Sequence, residues 1–295
     1  MPNAKTTLRV NRPEEESSPE SPGEHRPVHW RFWICAAAIP FVLLVVTSCV
    51  IRIAELDLAV ARTFFSADST YRFSGLQSSF CKFMYQYGPL PGIALGAVSI
   101  WLWILAARRN PFSTSTRIAG FCSLLLLIGP GLIVNLGLKN NWGRPRPSQI
   151  EHFGGTYAYA PLGVRGDGPS NGSFPSGHAA IAFYLMAPGF LFMRRRVWLA
   201  ACFLTFGMAA GVVMGAVRIV QGAHFFSDVI WSGAILYFTG LLLARILHVD
   251  ALEPSQFREL ARIMRQDTFA LLRLRRPVPL KPADAPDAES DRRAA

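Results

Sequence analysis

Residues 172–190 read GSFPSGHAAIAFYLMAPGF. A polar segment rich in Gly and Ser passes, at Pro175-Ser176-Gly177, directly into an apolar run, and His178 stands at the junction. The run shows no period-2 alternation, so it reads as a helix and not as a half-buried strand. Pro-Ser-Gly in front of it makes a tight turn whose N–H groups can point at an anion, at the positive end of the helix dipole. The fold depends on what medium that helix occupies, and the function on what the ring meets at its mouth.

Composition answers the first point. The chain has 295 residues, 51% of them hydrophobic and only 17% charged, which is less charge than a soluble domain carries. Its apolar residues fall in blocks of membrane-spanning length, roughly 20 residues. Six are visible, at about 30–52, 88–107, 117–138, 176–193, 197–217 and 226–247; the fourth is short and contains Pro188. Helices satisfy their own backbone hydrogen bonds in lipid, and the missing alternation argues against a transmembrane barrel. The expected fold is all-α, a bundle of six transmembrane helices.

Basic residues orient it. Even-numbered spans end in arginines: Arg108, Arg109 and Arg117 after the second, and Arg194, Arg195 and Arg196 after the fourth. The tail after the sixth adds Arg258, Arg262, Arg265, Arg273, Arg275 and Arg276. By the positive-inside rule these links and both termini are cytoplasmic, so segments 53–87, 139–175 and 218–225 face outward. Residues 1–28, rich in Pro, Glu and Ser, read as a disordered cytoplasmic tail. Residues 29–248 form one six-helix membrane domain, and 249–295 a basic cytoplasmic tail whose end, about 277–295, is again disordered. Within that tail Phe257, Leu260, Ala261 and Met264 recur at helical spacing, fitting an interfacial helix or an ordinary solvated one. The outward segment 53–87 is too polar to span and reads as short helices along the outer surface. Gly207, Gly211 and Gly215 give the fifth span a smooth packing face.

Some classes drop out. The net charge of +11 is explained by attraction of the cytoplasmic face to anionic headgroups; no zinc spacing, P-loop or RNA-binding signature points to nucleic acid. Cys35, Cys49, Cys81, Cys122 and Cys202 are scattered singly, so neither a disulfide framework nor a metal site is expected. The first span has no convincing cleavage site behind its polar tail and reads as a retained anchor.

The outward face nevertheless holds cations, and they fall in three clusters. KNNWGRPRP (139–147) leaves the third span, FPSGH (174–178) enters the fourth, and RIVQGAHFFSD (218–228) links the fifth to the sixth. Lys139, Arg146 and Arg218 supply positive charge at one level of the membrane, where ionisable residues are costly and usually functional. Arginine forks match phosphate oxygens, lysine adds a point charge, and Ser176 and the Gly177 N–H add donors at a helix mouth. His224 and Asp228 are four apart, which on a helix puts both on one face; the carboxylate then fixes the ring tautomer and leaves the other nitrogen free to attack. His178 is placed to protonate a leaving group. Together these make a phosphoryl-transfer site with no call for a metal or cofactor. Arg144 and Arg165 fit solvent-facing loop positions equally well, Glu55 and Asp57 read as surface charges, and Asn-Gly-Ser at 171–173 fits a glycosylation acceptor.

These elements resemble a known family. Lys139 with Arg146-Pro147 matches K-x6-R-P, residues 175–178 match P-S-G-H, and Arg218, His224 and Asp228 match R-x5-H-x3-D, in the same order and at the same helix ends. Over about residues 53–248 the chain is similar to the type 2 phosphatidic acid phosphatase (PAP2) superfamily of membrane lipid phosphatases, whose site is shared with vanadium haloperoxidases. The resemblance implies that His224 attacks phosphorus to form a phosphohistidine, Asp228 orients it, and His178 protonates the leaving oxygen and then activates water. It implies that Lys139, Arg146, Ser176, Gly177 and Arg218 hold the phosphate, and that no metal is needed. Val217 stands where the family usually has Ser, so a hydroxyl contact to the phosphate is missing, and weaker anchoring or a compensating donor is expected, not inactivity.

The substrate expected at such an interface is a phosphorylated membrane lipid: lipid A, undecaprenyl diphosphate, phosphatidylglycerol phosphate or phosphatidate. The loop 148–173, with its F-G-G-T run, is similar to that of bacterial lipid A phosphatases, and Gly and aromatic residues suit a sugar headgroup. The expectation is an enzyme of the bacterial inner membrane with its site facing the periplasm. Alternatives are a lipid-to-lipid phosphotransferase and a non-catalytic lipid-binding or transport protein. The sequence does not set the oligomeric state.

Overall fold

The computed structural model describes residues 30–274, so the disordered readings of 1–28 and 277–295 lie outside the described residues. Among those described, the chain is helical, and its extended contacts are two isolated bridges, Phe65–Phe73 and Ile150–Tyr157.

Helix α1 (Trp30–Ile53) is apolar on every side and buries only Ile51, as expected of a helix whose surroundings are themselves apolar. Short helices follow in the polar segment: α2 (Leu56–Arg62) and α3 (Ser79–Tyr87), the latter capped by Ser78, whose hydroxyl accepts from the Cys81 N–H. Pro89 then opens α4 (Leu90–Arg109). Helix α5 (Thr114–Leu126), capped by Ser113, continues without a break into wider π-helical turns over Leu127–Lys139. Pro130 inside that stretch lacks an N–H, and Asn135 donates from its side chain to the Pro130 carbonyl at 2.7 Å. A long loop leads to α6 (Gly177–Phe183), a 3₁₀ turn at Tyr184–Met186, and α7 (Ala187–Phe192). Helices α8 (Val197–Val220), α9 (Phe226–Ile246) and α10 (Phe257–Leu274) complete the described residues.

Among the described residues five helical stretches are long and apolar enough to cross a membrane: Trp30–Ile53, Ser79–Arg109, Thr114–Lys139, Val197–Val220 and Phe226–Ile246. The expected fourth span is a shorter apolar piece, Gly177–Phe192. At 1.5 Å per residue it reaches only about 24 Å, against a hydrocarbon core of about 30 Å. It is also the central piece. Ala179, Ala180, Phe183, Tyr184, Met186, Phe190 and Leu191 are all buried, and the Tyr184 hydroxyl donates to the Cys122 carbonyl at 2.9 Å.

The glycine face of α8 is what lets that piece in. A Cβ on Gly207 would lie 2.1 Å from the Met186 backbone nitrogen, one on Gly211 2.1 Å from the Phe183 ring, and one on Gly215 2.2 Å from Val229 Cγ1. Gly207→Ala must displace backbone, and is expected to cost about 1–3 kcal/mol as overpacking, read as a lower thermal midpoint in detergent.

Helix α10 packs on the bundle through Leu260 and Ile263, with Ala261 and Met264 exposed, so its buried face is turned from the expected one. Ser115 donates to Glu259 at 2.7 Å, and Arg194 pairs with Asp250 at 3.1 Å. Because α6–α7 and α9 both run away from the residues of the three motifs, the arginines at 194–196 lie at the opposite end of the bundle.

Candidate active site

The three motifs converge at one end of the bundle. Lys139 closes the π-helical stretch and is 8% exposed; Arg218 sits in the last turn of α8 and is 9% exposed. A Cβ built on Gly177 would fall 2.8 Å from Asn135 Oδ1 and 3.6 Å from Lys139 Nζ, so only glycine leaves the space between the α6 mouth and the lysine open. Arg146 precedes a 3₁₀ turn (Pro147–Gln149); its N–H donates to Gln149 Oε1 at 2.9 Å and its guanidinium reaches the Asn171 carbonyl at 3.1 Å. Lys139, Arg146 and Arg218 all lie close enough to His178 for their charge to act on it. Among the described residues none of the three cations has a carboxylate at ion-pairing distance; the carboxylates nearby are already engaged by Arg144.

Two histidines face this cradle. The His178 ring stacks on Tyr85 of α3, with centroids 4.9 Å apart at 26°. Arg218 lies over the same Tyr85 ring, at 4.6 Å, and donates to Gln221 Oε1 at 2.6 Å; Gln221 in turn donates to the Cys81 carbonyl at 3.2 Å. Tyr85 and Gln221 therefore tie α3 to the site, and the sequence reading passed over both. The only sequence cue for Tyr85 was an aromatic residue in a polar segment that could not span.

His224 is not on a helix as its spacing to Asp228 had implied. It lies in the turn after α8, two residues before α9 begins. Its Nδ1 is 2.6 Å from the Ser173 carbonyl, while the nearer Asp228 oxygen is 3.6 Å away. A carbonyl only accepts, so Nδ1 carries the proton and Nε2 keeps its lone pair. Burial, opposed by Asp228 and helped by Lys139 and Arg218, pushes the His224 pKa down to about 4, which keeps the ring neutral at working pH.

Asp228 is fully buried. One oxygen accepts from the Phe225 N–H at 2.7 Å and the other from Arg144 at 2.6 Å. Arg144 is thus no loop residue facing solvent: it is 0% exposed and also pairs with Asp57 at 2.8 Å, itself only 1% exposed and no surface charge. Arg165 is exposed, bonding to the Asn141 carbonyl, and Glu55 is exposed as expected. Ser173, third residue of the Asn-Gly-Ser match, is fully buried.

Three buried polar atoms have no partner among the described residues: Ser173 Oγ, Ser176 Oγ and Arg218 Nε. Buried donors of this kind are costly unless something else takes up their hydrogen bonds. Ser176 and Arg218 belong to the cradle, and Ser173 is the residue whose carbonyl holds His224. Two cavities open on either side of Tyr85 and Gln86. One, about 570 Å³, is lined by Lys82, Arg146, Ser148, Arg218 and Gln221; the other, about 330 Å³, by Asn135, Lys139, His178 and the apolar Leu90, Ile93 and Ile181.

Comparison with known proteins agrees. A family model described as the PAP2 superfamily matches residues 117–250. The chain is 31% identical over 196 residues to the lipid A 4'-phosphatase of Francisella tularensis subsp. novicida, covering 66% of this chain and 87% of that protein. It is 40% identical over 120 residues to the lipid A 4'-phosphatase of Rhizobium leguminosarum, covering 40% of this chain and half of that protein. A solved transmembrane PAP2-type phosphatidylglycerolphosphate phosphatase from Bacillus subtilis aligns over 72% of this chain and 94% of that one, at 20% identity and a TM-score of 0.41. With all three ordered motifs present and a relative matched over nearly its whole length, the chain belongs to the PAP2 superfamily.

Proposed function

We propose that this protein is an integral membrane phosphatase that removes a phosphate from a membrane lipid, with a phosphorylated glycolipid of the lipid A class as substrate. The observation that carries the reading is the three unneutralised cations gathered around a neutral histidine whose Nδ1–H is held by the Ser173 carbonyl.

In this reading Nε2 of His224 attacks phosphorus. The P–N bond forms as the P–O bond to the lipid breaks, and the leaving oxygen takes a proton from His178. His178 then takes a proton from water, the hydroxide attacks phosphorus, the P–N bond breaks, and phosphate leaves. Lys139, Arg146 and Arg218, with the Ser176 hydroxyl and the Gly177 N–H, hold the non-bridging oxygens and stabilise the charge that builds on them. In this reading these groups supply the positive charge that a metal supplies elsewhere. The apolar rim of the smaller cavity suits acyl chains and the polar wall of the larger one a sugar. The names of the Francisella and Rhizobium relatives support the lipid A class.

We also propose that the chain crosses the bacterial inner membrane six times. The short piece Gly177–Phe192 is enclosed by its neighbours and need not match the lipid thickness on its own. Cytoplasmic arginines at the far end leave the site facing the periplasm. The 29–248 membrane domain and the 249–295 tail follow from the same topology.

The test is phosphate release by the purified protein in detergent, from lipid A, undecaprenyl diphosphate, phosphatidylglycerol phosphate and phosphatidate. Release from lipid A is expected to persist in EDTA within about twofold and to be blocked by vanadate, which mimics pentacoordinate phosphorus. Strict dependence on a divalent cation overturns the mechanism. Transfer to an added acceptor lipid in place of water would mark a phosphotransferase.

A further inference from the structure

We infer that Asp57 and Arg144 are positioning residues for the nucleophile, acting on His224 through Asp228. The inference rests on His224 being the nucleophile.

The geometry is a closed network. Arg144 Nη1 donates to Asp228 at 2.6 Å and to the Ser227 hydroxyl at 2.8 Å, Nη2 donates to Asp57 at 2.8 Å, and Nε donates to the Ala160 carbonyl at 2.9 Å. Ser227 returns two bonds to Asp57, from its N–H at 2.8 Å and its hydroxyl at 2.6 Å. The Phe225 ring covers the guanidinium at 4.4 Å. One network therefore joins α2, the loop after Lys139 and the first turn of α9, all without solvent. A buried set of charges is a poor way to gain stability alone, because desolvation offsets the attraction. Burial works against the Arg144 charge, but Asp228 and Asp57 outweigh it and hold the guanidinium firmly protonated.

The charge count gives the network a role in the reaction. Two carboxylates and one guanidinium sum to −1. His224 attacks as a neutral ring and keeps its Nδ1–H, so the phosphorylated ring carries a positive charge. That charge faces Lys139, His178 and Arg218 on one side, from the π-helical stretch, α6 and α8. On the other side lie Asp228 of α9 and Arg144 of the loop. A net −1 behind the ring offsets the cations in front of it. With Arg144 and Asp228 alone the sum would be zero.

Charge variants separate this from a structural role. Asp57→Asn keeps the shape and takes the sum to zero. Asp57→Asn combined with Arg144→Gln restores −1 through Asp228 alone. Inhibition of the full-length protein by vanadate reads bonding to the ring nitrogen, and inhibition by inorganic phosphate reads the cradle. In Asp57→Asn, kcat on p-nitrophenyl phosphate and vanadate affinity are each expected to fall about tenfold, the scale of one unit charge acting across roughly 12 Å at an effective dielectric of about 20. KM and phosphate affinity stay within about threefold. The double variant returns kcat and vanadate affinity to within about threefold of wild type. Parallel loss of phosphate and vanadate affinity, a double variant worse than Asp57→Asn, or unaltered kinetics in Asp57→Asn overturns the inference. So does failure of both variants to fold; if only Asp57→Asn fails, the double variant decides by the same limit. Residual turnover in His224→Ala would instead strike at the nucleophile assignment.

Discussion

His224→Ala loses phosphate release by at least roughly 10⁴-fold, the scale seen when a covalent nucleophile is removed, while the protein still purifies as a folded particle. The His224 ring holds one hydrogen bond, to the Ser173 carbonyl, and approaches Asp228 at 3.6 Å. Truncation costs a buried hydrogen bond and a cavity of ring size, about 2–4 kcal/mol. Asp228 keeps its bonds to Arg144 and the Phe225 N–H, so the network behind the ring survives. Radiolabelled substrate is expected to leave an acid-labile, base-stable phosphoryl group on wild type and none on the variant. Turnover within tenfold of wild type in the variant sinks the mechanism.

The same variant has a signature in stability. Burial lowers the His224 pKa from 6.5 to about 4, so between those values the unfolded chain binds a proton that the folded one does not. Wild type must then lose stability as pH falls from 6.5 towards 4, and His224→Ala lacks that component. Thermal midpoints of the two proteins, compared at pH 7 and pH 4.5, are expected to converge on the acid side. A constant gap would mean that the ring is not held neutral.

That the candidate site residues come together at one end of the bundle was legible because they stand in short motifs at helix ends. Lys139, Arg146, Ser176, Gly177, His178, Arg218, His224 and Asp228 carry their spacing with them, and long apolar blocks mark their own helices. The fourth block, read at about 176–193 as short, is the piece Gly177–Phe192, which a 3₁₀ turn at Tyr184–Met186 divides. What its length did not show is that glycines on α8 admit it to the bundle centre. The network behind His224 was not legible at all. Asp57 and Arg144 are 87 residues apart and each, alone, reads as an ordinary charge in a polar loop; only their burial shows otherwise. The Ser173 carbonyl is a backbone atom, and no side-chain pattern signals its hold on His224. Asp228 was singled out from its spacing to His224, but its partners are Arg144 and a backbone N–H, with the ring at longer range.

His178→Ala is expected to lower turnover of a lipid phosphate by about 10³-fold, while the first step alone, formation of the phosphoryl-enzyme, loses much less on a substrate with an acidic leaving group. A sugar or alkyl alkoxide needs a proton as its bond to phosphorus breaks; p-nitrophenolate does not. In the variant the first step with p-nitrophenyl phosphate therefore still runs, but water then attacks without a base. The result is a burst of p-nitrophenol equal to the enzyme present, followed by slow release, and a phosphohistidine that accumulates on His224. The cradle should be intact, because Lys139, Arg146, Ser176 and Arg218 do not depend on the imidazole. What changes is the packing on Tyr85, which stacks on His178 at 4.9 Å and also lies under Arg218. His178→Gln retains a planar group on that ring, and separates loss of the acid from loss of the stack. If Gln restores lipid turnover to within tenfold of wild type, His178 serves to position Tyr85 and Arg218, and the proton comes from elsewhere. If both variants show the burst and neither turns over lipid, the ring is the acid of the first step and the base of the second.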